Sequence, residues 1–411
     1  MAIDTLPTGP PGQPDISYTP DPLKYASRTH RRLTTENLSR DLPPGFPSKL
    51  SSNLVWDNTD IAQRFTWTYE LTPSDLDELS HALQHFKSLN KPLGYLSQAT
   101  FPLDKLHEKL REISRDVHDG FGFKVVRGLP VDSLSRQDVL AMYAGLAAHV
   151  ASVRGRQDHR WDGRPADVVL NHIKDLRDEV DGSVIGAPAY TNDKQVFHTD
   201  AGEVVALLCL EEAAEGGQSL VSSSWRVYNE IAATRPDLVA TLARGWPTEV
   251  FEGQGDGKGW VDRPLLFYQP RTGEGEGGKK ERMVIQYARR TFTGFLGLPR
   301  SPHIPPISEA QAEALDALHF LAERFALKLD FRKGDVQFVN NLSVFHAREG
   351  FRDQGGKRRH LVRLWLRDEE LGWDIPEDLR GRMGKVFEGV TEEGQVWPLE
   401  PFVRSSARGK G

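Results

Sequence analysis

A chain of 411 residues with 38% hydrophobic and 27% charged residues has the composition of a soluble globular protein that can bury a large core. Its formal charge of −6 gives no reason to expect nucleic acid or an anionic membrane as partner, and no apolar run nears the roughly 20 residues that span a bilayer. The one cysteine, Cys209, excludes an internal disulfide and a Cys-rich zinc site, and within the apolar run 204–210 it reads as a buried, inert thiol.

Residues 1–14 lack the basic start and apolar stretch of a secretory signal, so a cytoplasmic location is expected. Residues 1–50 hold many prolines and few periodic apolar positions, and read as an extended arm. Such an arm can wrap its own subunit or reach a neighbour, which leaves a homo-oligomer open. The remainder, about 51–400, reads as one domain. Thr72-Pro73-Ser74 starts a helix to about residue 86, with Leu76, Leu79 and Leu83 on one face, and a second helix runs over about 103–118. Residues 121–126 alternate as a strand, and Ser135 caps a helix over 135–150.

From Asp167 onward the pattern changes to short β-like runs, at 168–172, 195–200, 204–210, 219–223, 265–268, 283–287, 328–331, 335–339, 344–346 and 360–366. Helices interrupt them at about 224–235 and 307–327, the second with a Ser308/Gln311 capping-box pattern. The loops 253–258 and 273–280 look expanded, the second as an exposed hairpin tip. This spacing predicts an α+β, mainly β fold. Its core is a jelly roll, or double-stranded β-helix, of about eight strands within about 167–367, with helices flanking one side and the arm at the N-terminus.

His198-Thr199-Asp200 falls in one of these runs. Residues i and i+2 of a strand share a face, so the imidazole and carboxylate can hold one ion. Taken alone, the motif fits a hydrogen-bonded surface pair as well. The segment 334–348 makes a turn, a strand, an Asn340-Asn341 turn and a returning strand that delivers His346. Alone, His346 also fits a satisfied core residue. One strand further, Arg359 and Arg363 share a face with Leu361, and an inward guanidinium is costly unless it meets an anion. Two histidines and a carboxylate on one face form the facial triad that leaves open positions on Fe(II). A chelating dianion then needs a fixed cation for its far carboxylate, which the arginine fork supplies.

In these stretches the chain resembles the taurine dioxygenase-like (TauD/TfdA) family of Fe(II)/2-oxoglutarate-dependent oxygenases. The resemblance rests on Phe197-His198-Thr199-Asp200, Gly216-Gly217-Gln218-Ser219-Leu220, the segment 334–346 and Arg358 to Arg363, and it spans about residues 120–367. It implies a jelly-roll oxidoreductase with His198, Asp200 and His346 as iron ligands and 2-oxoglutarate and O2 as cosubstrates. Ser219 and Arg359 would meet the far carboxylate of 2-oxoglutarate. Arg363 would serve the cosubstrate and the acid group of an anionic substrate. The substrate implied is a small acidic or amino-acid-like molecule, oxidised at a C–H bond by hydroxylation, desaturation or ring closure. Residues 182–194, with Tyr190 and Asn192, are read as a lid that touches it. Two alternatives stay open: a zinc or manganese hydrolase or isomerase on the same triad, and a catalytically silent jelly roll used for binding.

Overall fold

The computed structural model describes residues 10–251, 259–273 and 278–408. Its N-terminal segment departs from the expected extended arm. Asp21 accepts hydrogen bonds from Leu23 N and Lys24 N and caps the helix α1 (Pro22–Thr35), whose first position is a proline preset for helical φ. The buried residues of α1 are Arg28 and Arg32, so no apolar periodicity announced the helix. The helices α2 (Pro73–Ser88), α3 (Leu106–His118) and α4 (Arg136–Val150) lie close to their expected bounds, with Thr72 and Ser135 as side-chain caps.

Eleven strands form the two principal sheets: β1 (Thr68–Glu70), β2 (Phe123–Arg127), β3 (Val153–Gly155), β4 (Asn171–Lys174), β5 (Gln195–His198), β6 (Val204–Glu211), β7 (Ser219–Ser223), β8 (Leu327–Lys328), β9 (Val336–Asn340), β10 (Val344–Arg348) and β11 (His360–Arg367). The seven-stranded sheet runs β1-β2-β9-β6-β11-β3, with β4 also on β11; the four-stranded sheet runs β8-β7-β10-β5. Within these two sheets the described strands pair antiparallel except β1 with β2. Neither sheet closes on itself as a barrel, and the fold is mixed α/β.

Strand alternation decides what each face meets. On β6 and β11, Val204, Ala206, Leu208, Val362, Leu364 and Leu366 pack with α2, α3 and α4. Leu207, Cys209, Leu361, Arg363 and Trp365 take the other face. On β10, Phe345 and Ala347 join the cluster that includes α5 (Ser224–Thr234), α6 (Pro236–Leu242) and α7 (Glu309–Phe325). Val344, on the opposite face with His346, packs instead with Phe123, Val125 and Val339 of the larger sheet. Helices therefore cover both sheets, α5 and α7 lying on the smaller one, rather than one side as expected. The Ser308/Gln311 capping box of α7 is present.

Several expected runs change. The run at 168–172 divides between a separate strand, Arg164–Val168, and β4. The run at 328–331 shortens to β8, and Pro236 restarts a helix that was read as ending at 235. Leu266–Gln269 and Arg282–Ile285 form the expected hairpin, whose tip residues 274–277 lie outside the described residues, as does the loop 252–258. A C-terminal helix, α8 (Glu377–Phe387), was not anticipated. No helix among the described residues is long and apolar enough to cross a membrane.

Candidate metal centre

His198 ends β5 and sits directly opposite His346 of β10, the two ring centroids 4.2 Å apart. Asp200 lies past the strand end, so strand alternation does not aim it. Side chains hold its backbone instead: Asn341 Oδ1 accepts from Asp200 N (2.7 Å), while Asn341 Nδ2 and Gln286 Nε2 each donate to Asp200 O (3.0 Å). The result is a cluster in which one ligand atom from each of His198, Asp200 and His346 lies within 4.8 Å of the others.

The protonation states suit a cation. His198 Nδ1 donates to the Val196 carbonyl (2.9 Å), which leaves Nε2 as the lone-pair nitrogen, 3.8 Å from Asp200 Oδ1. His346 Nε2 lies 3.9 Å from Asp200 Oδ2. Burial keeps both imidazoles neutral, and with the neighbouring His198 it takes His346 down to about 3. Burial alone would raise the Asp200 carboxyl, but Arg363, His346 and His198 together hold it below the usual carboxylate range. Asp200 Oδ2 already accepts from Arg363 Nη1 (2.7 Å) and Trp365 Nε1 (3.1 Å), so Oδ1 is the oxygen left for a metal. Two neutral imidazoles and one anionic oxygen are the donor set of a divalent first-row cation.

The other expected residues are placed as follows. Arg359 precedes β11, is buried, and donates from Nε to the Gly217 carbonyl (3.1 Å) with no carboxylate within ion-pair distance among the described residues. Burial pushes its guanidinium down to about 10. Ser219 Oγ donates to Gln337 Oε1 (2.7 Å), and Gln337 Nε2 has no partner among the described residues. Gln337 is a polar group the sequence reading passed over, although it lies inside the segment 334–346. Arg363 is engaged with Asp200 and with Gln157 Oε1 (2.7 Å), and only Nη2 is without a partner.

Within the segment expected to form a lid, Ala187, Pro188 and Ala189 wall the cavity beside His198 and Asp200, and Tyr190 and Asn192 are not among its lining residues. Tyr190 is fully buried, donates to Asn171 Oδ1 (2.9 Å) and accepts from Arg404 Nε (3.1 Å), so its hydroxyl ties down the C-terminal segment. The Asn192 carbonyl accepts from Phe351 N (3.0 Å). Cys209 is buried, and its thiol is pushed up to about 12, as expected of an inert cysteine.

A model of the Taurine catabolism dioxygenase TauD, TfdA family matches residues 89–365. The chain is 34% identical over 401 residues to the Taurine hydroxylase-like protein SAT17 of Stachybotrys chartarum (strain CBS 109288 / IBT 7711), covering 95% of this chain and 97% of that protein. It is 23% identical over 334 residues to the FR-33289 synthase of Streptomyces rubellomurinus (strain ATCC 31215), covering 79% and 92% of the two. The fold resembles that of an asparagine oxygenase solved with Fe(II), 2S,3S-3-hydroxyasparagine and succinate, at a TM-score of 0.53 and 18% identity over 75% of this chain and 98% of that one. The non-heme iron oxygenase OrfP, solved with Fe, gives a TM-score of 0.50 at 15% identity over 74% and 94%.

Proposed function

The chain belongs to the Taurine catabolism dioxygenase TauD, TfdA family, and from that premise we propose that it oxidises a C–H bond of a small acidic or amino-acid-like molecule. It is a non-haem Fe(II)/2-oxoglutarate-dependent oxygenase. Hydroxylation is the outcome proposed, with desaturation and ring closure as other ends of the same chemistry. When bound, the iron with 2-oxoglutarate and O2 supplies the oxidising power, and succinate and CO2 are released.

The observation that carries this reading is the His198–Asp200–His346 cluster. His198 and His346 would give Nε2 lone pairs and Asp200 its Oδ1, while Arg363 and Trp365 keep Oδ2 occupied and the carboxylate ionised. Arg359 would take the far carboxylate of 2-oxoglutarate, for which its buried and carboxylate-free guanidinium is suited. Ser219 and Gln337 would add a hydroxyl and an amide N–H to the same pocket. Arg363 Nη2 remains for an oxygen of cosubstrate or substrate. The hydrolase and silent-scaffold alternatives leave Arg359 with no anion to meet. A substrate of amino-acid type is supported by the asparagine oxygenase that shares the fold.

We read the two facing sheets as a jelly roll within a single domain over about 51–400, in a cytoplasmic protein that acts on a small molecule; its oligomeric state is left open. The test is succinate release from 2-oxoglutarate with panels of amino acids, carboxylates and sulfonates. Succinate formation that needs Fe(II) and O2, is stimulated by one such class and is lost in His346→Ala is the expected result. Turnover that is indifferent to oxygen would favour the hydrolase.

A further inference from the structure

Five arginines, Arg289, Arg290, Arg363, Arg382 and Arg404, line the cavity beside His198 and Asp200. Two have carboxylate partners: Arg363 pairs with Asp200 (2.7 Å) and Arg289 with Asp316 (2.8 Å). The other three have no ion pair among the described residues. Arg290 donates to the carbonyls of Gly186 (2.7 Å) and Ser406 (3.3 Å) and lies 3.9 Å over the Phe251 ring. Arg404 meets the Tyr190 hydroxyl and the Gln157 carbonyl (3.1 Å each). Arg382 reaches the Asp200 carbonyl only at 3.5 Å, and its Nε has no partner, like Nη2 of Arg363 and Nη1 of Arg289.

Arg404 is buried and Arg290 and Arg382 are half-buried, and carbonyl dipoles and rings compensate such guanidiniums only in part, so that their desolvation opposes folding. With Fe(II) and 2-oxoglutarate bound, Asp200, Arg363 and Arg359 would leave the centre one positive charge, so it offers no anion to the other three guanidiniums. These three guanidiniums, without an ion pair among the described residues, are therefore suited to anionic charge from the substrate. Their contacts fall into two groups. Arg290 donates to the carbonyl of Ser406, two residues from Arg404, and feels the charge of that arginine. Arg382 comes from α8 and also borders a second cavity with Arg263 and Lys385. Arg382 and Arg404 lie beyond residue 365, outside the segment matched by the family model.

We propose that the substrate carries two separate acid groups, one received by Arg290 and Arg404 and the other by Arg382 of α8. This rests on the oxygenase reading and narrows its substrate class to dianions such as dicarboxylates and phosphono- or sulfono-carboxylates. Arg382 is the specificity residue for the second charge. A substrate with one acid group leaves it unpaired, and a zwitterion of no net charge leaves all three in excess.

The experiment is calorimetric titration of the full-length, metal-free protein with phosphonoacetate, acetate and methylphosphonate. Phosphonoacetate is expected to bind at least tenfold more tightly than either single acid, and Arg382→Gln to remove that advantage. Arg380→Gln, an exposed change of the same charge on the same helix, is expected to keep it. If circular dichroism shows that Arg382→Gln is misfolded, Arg290→Gln is read in its place with the same expectation. No preference for two acid groups, or a preference untouched in the folded variant, overturns the proposal. So does loss of binding in Arg359→Gln alone, because the probe then sits in the cosubstrate pocket. The oxygenase reading is scored separately, by the visible absorption of the wild type with Fe(II) and 2-oxoglutarate, so the two can fail independently.

Discussion

Asp200 stands past the last hydrogen-bonded residue of β5, and one carboxamide aims it. Asn341→Ala removes both of those bonds while leaving the donor set intact. The expected outcome is Fe(II) affinity weaker by about 10–100-fold with the fold retained, measured by metal titration beside circular dichroism. Unchanged affinity would mean that Gln286 and the Tyr287–Thr199 pairing suffice to hold the loop. Gly217 makes a second local demand. Its φ is +74°, and a Cβ there would lie 2.9 Å from Cδ and Nε of Arg359. Gly217→Ala should displace the guanidinium, so that half-saturation needs roughly tenfold more 2-oxoglutarate, the loss of about one charge-assisted hydrogen bond. An unshifted titration would remove Arg359 from that pocket. At this scale the candidate ligands were legible because ligand chemistry belongs to residue type and spacing. The support was not: Asn341 reads from sequence as a turn former, and Arg363 gives no sign that its first partner is the Asp200 carboxylate.

Among the elements, α1 shows why an amphipathic search fails when a helix docks by charge. Arg32 Nη1 pairs with buried Glu313 of α7, Arg28 Nη1 pairs with buried Asp316 of the same helix (2.7 Å), and Arg235 also meets Glu313. Arg32→Ala removes one of the two arginines paired with Glu313, and should lower unfolding free energy by about 2 kcal/mol in a denaturant melt, the scale of a buried charge-assisted bond. A loss near the few tenths typical of exposed pairs would show that the docking is superficial. Glu203, on the turn into β6, gives a pH test. Burial pushes its carboxyl up to about 7, despite Arg367. A folded pKa above the unfolded value means a contribution that is complete below about 4.5, the ordinary value of a free Glu, and lost as pH rises through about 7. Glu203→Gln should therefore gain on the wild type between pH 5 and pH 8, by on the order of 2–3 kcal/mol. A stability difference flat across that range would contradict the raised carboxyl. Strands such as β7 and β11 matched their expected spans within a residue because alternation is local. The restart of the chain at Pro236, α1 and α8 were missed because their docking partners are remote or their buried faces are charged.

Across the whole molecule, neighbouring strands of the smaller sheet set His198 opposite His346 from 148 positions apart, and a turn brings Asn341 to Asp200 from 141. The C-terminal part closes the same cavity through Arg382 and through Arg404, which is latched to the Tyr190 hydroxyl. Such long-range partnerships leave no periodic trace in sequence. That is why the strand carrying His198 was readable and the cavity wall was not, and why the bond between the Tyr190 hydroxyl and the tail was not foreseen. The central claim is that His198, Asp200 and His346 hold Fe(II) and that Arg359 fixes the 2-oxoglutarate chelated to it. Its most direct test is anaerobic: Fe(II) and then 2-oxoglutarate are added to metal-free protein, and the visible charge-transfer band of an iron–keto-acid chelate is recorded for wild type, His346→Ala and Arg359→Ala. The account predicts a band in the wild type, none in His346→Ala, and in Arg359→Ala a band that appears only at far higher 2-oxoglutarate. A folded, iron-loaded wild type with no band, or a band indifferent to His346→Ala, would contradict it.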